Sequence, residues 1–292
     1  MDYLSYIYTP QQMSGGATFA HGTRVGNWSE DMELQAMRVR DYLAKKQAGT
    51  LAVNRLQARL ATHLRPVEIS PKAGGDAVRL GDSLLLWSHH AESFLGADLN
   101  DTVTSSLGES LQAVSATKYS YPCARTALTI VPLDAALVGS SLKYGHEFRL
   151  CYANLDAGGP LFMFSSSRTP TNASKYSGLG EVLATKKVSH NTVWRVQNLD
   201  PSYRMETEGE DVPANAPVVL CHAGTNTLLG CSGVAFDNDF SIEHGDTEVV
   251  TNTYLPVSKY KIGNREHQLN GSENHFVFVS AAAPAAAVAD GQ

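Results

Sequence analysis

Val78-Arg79-Leu80-Gly81-Asp82-Ser83-Leu84-Leu85-Leu86 is one of three versions of the same nine-residue phrase. The second is Leu142-Lys143-Tyr144-Gly145-His146-Glu147-Phe148-Arg149-Leu150, and the third is Val212-Pro213-Ala214-Asn215-Ala216-Pro217-Val218-Val219-Leu220. Each has a residue tolerant of positive φ at its fourth place (Gly81, Gly145, Asn215), then an apolar residue three places on and a leucine five places on. That order is a tight turn feeding a strand with one buried face. An apolar pair follows each strand: Phe94-Leu95, Leu161-Phe162 and Leu228-Leu229. The pair begins 13 residues after the turn in the first and third copies and 16 after it in the second, where Asp156-Ala157-Gly158-Gly159-Pro160 lengthens the hairpin. A closing strand ends each unit, at Leu128-Thr129-Ile130, Trp194-Arg195-Val196 and Phe276-Val277-Phe278.

No single unit of this kind can bury its apolar face alone, so the three must share a core. The steps between copies, 64 and 70 residues, exceed those of a stacked solenoid repeat, about 20–50 residues. One closed, mainly β body is therefore expected. Leu86, Leu150 and Leu220 occupy the same place in each copy and are its expected structural core. Inserts at about 97–122, 165–190 and 231–272, rich in Ser, Thr, Gly and Asn, read as surface loops.

Two helices are expected before this body. Ser29 is a good N-cap, and Glu30, Asp31 and Glu33 suit the positive end of a helix dipole. That helix should run to Ala48 and stop at Gly49. A second should carry a stripe of Leu56, Leu60 and Leu64 and end at Arg65-Pro66, since proline disfavours helix in the residue before it. The expected organisation is an irregular extension at 1–23, a turn plus two helices at 24–66, the β body at 67–280, and a disordered Ala-rich tail at 281–292.

The formal charge of −6 argues against a general nucleic-acid binder. Its distribution is uneven: eight Lys/Arg against five acids through Arg65, then a clear excess of acids. The start has no basic n-region, and no run of about 18 apolar residues occurs. The expectation is an intracellular chain, off the membrane, with Cys123, Cys151, Cys221 and Cys231 as reduced thiols.

Catalytic patterns are scarce. There is no phosphate-binding glycine loop and no HExxH. His89-His90 and Cys221-His222 are neighbours on strands, so their side chains diverge and do not make a shared metal site. The acidic run Glu206, Glu208, Glu210, Asp211 does not have the spacing of a calcium loop around its glycine. No catalytic, cofactor-binding or metal residue is assigned, and no enzyme activity is expected.

The Gly81-to-Leu86 phrase resembles MIR-type units, whose modules fold as a β-trefoil of three pseudo-repeats. More distinctive are Arg24-Val25-Gly26-Asn27-Trp28-Ser29-Glu30-Asp31, Val188-Ser189-His190, Val212-Pro213-Ala214-Asn215-Ala216 and Glu248-Val249-Val250-Thr251-Asn252-Thr253-Tyr254-Leu255. In that order they resemble the cilia- and flagella-associated protein 161 family over roughly residues 22–280. The resemblance implies a MIR-like β-trefoil after a two-helix segment. It also implies a structural microtubule inner protein on the lumenal wall of the axonemal doublet, in the A-tubule. Its partners would be α- and β-tubulin and neighbouring inner proteins. Arg24, Asn27, Trp28, Arg38, Lys45, Lys46, Arg55 and Arg59 are the residues expected to meet such a partner, being basic or aromatic and outside the acidic body. A carbohydrate- or ligand-binding trefoil is the alternative. Against it, the equivalent places Trp87, Cys151 and Cys221 do not repeat an aromatic platform.

Overall fold

The computed structural model describes residues 28–72, 75–104, 110–156, 158–238, 240, 245–252, 259–262, 265–268 and 272–280. The expected extension, the Ala-rich tail, Arg24 and Asn27 lie outside the described residues.

The three turns form where the sequence places them. Gly81, Gly145 and Asn215 have φ of 103°, 84° and 61°. Each backbone N–H donates to the closing strand of its own unit: Gly81 to Ile130 O, Gly145 to Val196 O and Asn215 to Phe278 O, at 2.7, 2.9 and 3.0 Å. The first residues of the three phrases bond to one another in a ring. Val78 N donates to Val212 O, Val212 N to Leu142 O, and Leu142 N to Val78 O, at 2.9, 2.8 and 2.7 Å. A closed ring of three equivalent bonds is the backbone statement of pseudo-threefold symmetry.

The strands are β1 (Ser83–Ser88), β2 (Ser93–Thr104), β3 (Ser110–Thr117), β4 (Ala127–Pro132), β5 (Glu147–Tyr152), β6 (Leu161–Ser165), β7 (Gly180–Thr185), β8 (Trp194–Asn198), β9 (Pro217–His222), β10 (Thr227–Phe236), β11 (Asp246–Asn252), β12 (Lys259–Ile262), β13 (Arg265–Gln268) and β14 (Phe276–Val279). β1, β4, β5, β8, β9 and β14 pair in sequence around a closed barrel, β14 returning to β1. The hairpins β2–β3, β6–β7 and β10–β11 cap one end. They are joined by pairings of β3 with β7, β7 with β11 and β11 with β3. Twelve strands in one hydrogen-bonded sheet thus make a β-trefoil, and β12–β13 is a separate two-stranded insert in the third unit. Leu86, Leu150 and Leu220 are each fully buried in the common core, with Phe148, Trp194, Phe276 and Phe278 around them.

Two readings of the sequence are corrected. The inserts are not simply loops: β3, β7 and β11 lie in them, and β2 and β10 run on past the apolar pairs to Thr104 and Phe236. The second apolar pair is also displaced by one residue. Trp87 faces Phe94 and Cys221 faces Leu228, but Cys151 faces Phe162, so the true equivalents are Phe162-Met163 rather than Leu161-Phe162. The longer β5–β6 turn absorbs the extra residue.

The first helix, α1 (Glu30–Gln47), begins at the Ser29 cap, whose hydroxyl accepts from Met32 N at 3.4 Å. It ends at Gly49, with φ of 68°. The second, α2 (Ala52–His63), is followed by the bridge of Pro66 to Cys123. The chain divides into two compact units, one through Ala58 and one from Arg59. The last turn of α2 therefore belongs with the trefoil, earlier than the expected start at Val67.

Candidate attachment surface

α1 buries none of its residues. Met32, Ala36, Val39 and Leu43 fall on one line of the helix, at i, i+4, i+7 and i+11. Met32, Val39 and Leu43 are exposed, as are Leu34, Met37 and Tyr42 elsewhere on the helix and Trp28 just before it. A helix with an apolar line normally lays it against a core; this one leaves Val39 56% exposed and Trp28 51% exposed. Its charges are segregated, with Glu30, Asp31 and Glu33 in the first turn and Lys45 and Lys46 in the last. That order complements the helix dipole. Arg38, Lys46 and Arg55 are exposed, and Lys45 is exposed while paired with Asp41 at 2.7 Å. These cations and Trp28 are exposed.

Arg59 is not. Its side chain pairs with Asp98 and lies over the Phe240 ring, 5.1 Å from the centroid. It is an internal strut of the second unit, because Asp98 on β2 is nearly buried and needs a cation. Four residues on, His63 is fully buried. Its Nδ1–H donates to Arg59 O at 2.8 Å, and its Nε2 accepts from Leu99 N at 3.0 Å. Burial pushes the Asp98 carboxyl up, but the Asn100 N–H and the Arg59 guanidinium outweigh it and hold the group at about 2. Of the expected leucine stripe, Leu56 is exposed and Leu60 and Leu64 are half-buried. The helix end is fixed by polar groups as much as by leucine.

Beside it lies a buried cluster that the sequence reading missed. Arg125 is fully buried and pairs with Asp246, itself 1% exposed. Its guanidinium also donates to Ser115 Oγ at 2.7 Å and stacks on Phe240, 4.4 Å from the ring centroid. Asp246 Oδ2 further accepts from Ser115 Oγ and Asn238 Nδ2, each at 2.8 Å. Phe240 thus sits among Arg59, His63 and Arg125. The partners are 121 residues apart in sequence, so no local pattern announces them.

Cys221-His222 is structural in geometry, while His89-His90 lies in the turn after β1 rather than on the strand. His222 is fully buried; its Nε2–H donates to Asn191 O at 3.0 Å and its Nδ1 accepts from Thr225 Oγ1 at 2.8 Å, so neither nitrogen offers a lone pair. The four cysteines are free and buried, and burial pushes the Cys151 and Cys231 thiols up to about 12. Such thiols are poor nucleophiles and poor metal ligands. Among the described residues no group of three or more His, Cys, Asp or Glu could hold a metal ion, and no helix is long and apolar enough to cross a membrane.

The described residues hold a β-trefoil and, in a separate compact unit, a helix with an exposed apolar line and exposed cations. The architecture matches that of the SDF2-like protein from Arabidopsis thaliana, at a TM-score of 0.50 and 15% identity over 69% of this chain and 94% of that one. The cilia- and flagella-associated protein 161-like domain model matches residues 102–266. Proteins called cilia- and flagella-associated protein 161 from Bos taurus and Mus musculus are 30% and 32% identical, covering 89% and 82% of this chain and 81% and 84% of their own lengths. The chain belongs to the cilia- and flagella-associated protein 161 family, and its place is the cilium or flagellum.

Proposed function

We propose that this chain is a structural, non-catalytic inner protein of the axonemal doublet microtubule, seated on the lumenal wall of the A-tubule. Its partners are α- and β-tubulin and adjacent inner proteins. The observation that carries the reading is α1: an 18-residue helix with an apolar line and no buried residue, in a family associated with cilia. Left in water, that surface has no reason to persist; held against a wall, it makes a hydrophobic contact flanked by Arg38, Lys45 and Lys46. Arg55 and Trp28 extend the same chemistry along the chain. An acidic wall suits these cations. Several modest contacts made by one chain add through effective concentration.

The test uses axonemes in which Val39→Asp and Leu43→Asp replace the parent. Neither side chain is buried, so the purified variant should melt like the parent. Expected is loss of the variant from salt-washed doublets, while the parent stays. Full retention of the variant on the doublets overturns the attachment role of α1.

A further inference from the structure

A second candidate site lies in the cap of the trefoil. A cavity of about 140 Å³ lies between the far end of the β2–β3 hairpin and β6–β7. Val103, Leu111, Phe164 and Leu183 give it apolar walls, and Glu181 and Asn191 give it polar ones. The size is decisive for the class of occupant. A protein cavity of roughly 150 Å³ holds one benzene-sized molecule. The space suits a single side chain and not a folded segment.

The polar groups decide its charge. The side chains of Glu181 and Asn191 have no hydrogen-bond or ion-pair partner among the described residues. Asn172, also at the cavity, is committed elsewhere: its amide donates to Ser166 Oγ and Ser167 O, and its oxygen accepts from Thr171. Two further acids press on Glu181. Asp101 is exposed on β2, and Glu248 on β11 is already held by the N–H groups of Tyr176 and Ser177 and the Ser232 hydroxyl. Burial, then Glu248, then Asp101 push the Glu181 carboxyl above its ordinary range. A half-buried carboxylate among like charges, beside a free amide and apolar walls, lacks a cation with an alkyl stem.

We propose that this cavity is a socket for the alkylammonium side chain of a lysine presented by a partner protein. The stem lies along Val103, Leu111, Phe164 and Leu183. The ammonium meets the Glu181 carboxylate and donates to Asn191 Oδ1. Lysine fits better than arginine, because its head is a compact point charge with three rotatable donors rather than a broad planar fork. The socket is on the β body and is independent of the α1 attachment, and it is probed on the isolated chain. Its failure leaves the doublet reading intact, and the reverse holds.

The experiment is a methyl-NMR titration of the full chain with Nα-acetyl-lysine methylamide, reading the Val103, Leu111 and Leu183 methyl groups. Expected are saturable shifts of these methyls with a Kd of about 1–10 mM, as for one partly exposed ion pair plus apolar contact. The Nζ-acetylated probe, which is neutral, should bind at least about tenfold more weakly, and so should the amine probe to Glu181→Gln. Should that variant fail to fold, the parent serves: affinity for the amine should fall on acidification at a pH above that of an ordinary glutamate. Three results overturn the proposal: equal shifts from the amine and acetylated probes, no shift of these methyls, or affinity unchanged at acid pH. Putrescine binding about tenfold more tightly than capped lysine would make the site one for free amines and would also overturn it.

Discussion

Replacing Asp246 with alanine should be among the most damaging single changes in the trefoil. Asp246 Oδ2 takes three donors: the Arg125 guanidinium, the Ser115 hydroxyl and the Asn238 amide. Arg125 is fully buried, and its Nη2 makes both of its hydrogen bonds, Nε and Nη1 having no acceptor among the described residues. Without the carboxylate, the guanidinium keeps only the Ser115 hydroxyl and the face of Phe240. Breaking a buried pair by removing one partner costs about 3–5 kcal/mol, because a charge is left uncompensated. That is a large part of a total stability of about 5–15 kcal/mol. Arg125→Met should cost less, since the carboxylate left behind keeps two donors. The double variant Arg125→Met with Asp246→Ala should recover to within about 2 kcal/mol of the parent, as buried pairs replaced by apolar residues often do. Urea unfolding followed by tryptophan fluorescence measures all three, Trp194 being fully buried and thus a reporter of the core. If Asp246→Ala loses less than about 1 kcal/mol, or the double variant is worse than the sum of the singles, the electrostatic reasoning is wrong.

Truncating Leu86, Leu150 or Leu220 to alanine should cost about 2–5 kcal/mol each in the same urea assay, with similar values for the three because their burial is equivalent. Asp98 has a folded pKa of about 2, below its free value of 3.8, so its stabilising effect is full above about pH 5 and is lost as pH falls through 4 to 2. The effect amounts to about 2 kcal/mol, and Asp98→Asn should flatten the melting-temperature profile across that window. Gly145→Ala should destabilise by about 1–2 kcal/mol, because φ is 84° and the added methyl would lie 3.0 Å from Glu208 Cγ. Asn215→Gly, at the equivalent turn, keeps the positive φ but loses the bond that Asn215 Oδ1 accepts from Ser280 N at 3.3 Å, and should cost about 1 kcal/mol by thermal melting.

The parts legible in the sequence are those fixed by local chemistry. A positive φ has few tolerant residues, so Gly81, Gly145 and Asn215 mark the turns. The strand after each turn repeats its leucine because the threefold core repeats its demand. Ser29 and Gly49 bound α1 for equally local reasons. The third strand of each unit was illegible because β3 and β7 mix small and polar residues: Ser115, Thr117 and Thr185 are all buried where an apolar alternation would expect a leucine or valine. β3, β7 and β11 exchange bonds with three strands each, and such pairing leaves little trace in one strand's pattern. Arg59 read as a surface cation for the same reason. Nothing near it in sequence shows that Asp98, 39 residues on, will be buried within its reach. Glu181 and Asn191 were likewise invisible as a pair, since the cavity they share exists only after the cap hairpins pack.

The division of labour in this fold follows from symmetry. Where the three units agree, each position answers to the common core: the ring of Val78, Leu142 and Val212, the three turns, the three leucines. A change there in one unit must be compatible with the two others, which leaves little freedom for recognition. Where the units differ, that constraint is lifted. Only the first unit is preceded by α1 and α2, and the β12–β13 insert is in the third. The first and third hairpins shift register, between Asp98 and Thr102 and between Cys231 and Ala235, and the second does not; the first one's extension supplies Val103 to the proposed lysine socket. The shift in the first hairpin follows directly on Asp98, which anchors Arg59 and His63 at the end of α2. The departures from threefold symmetry therefore carry both of the proposed partner surfaces.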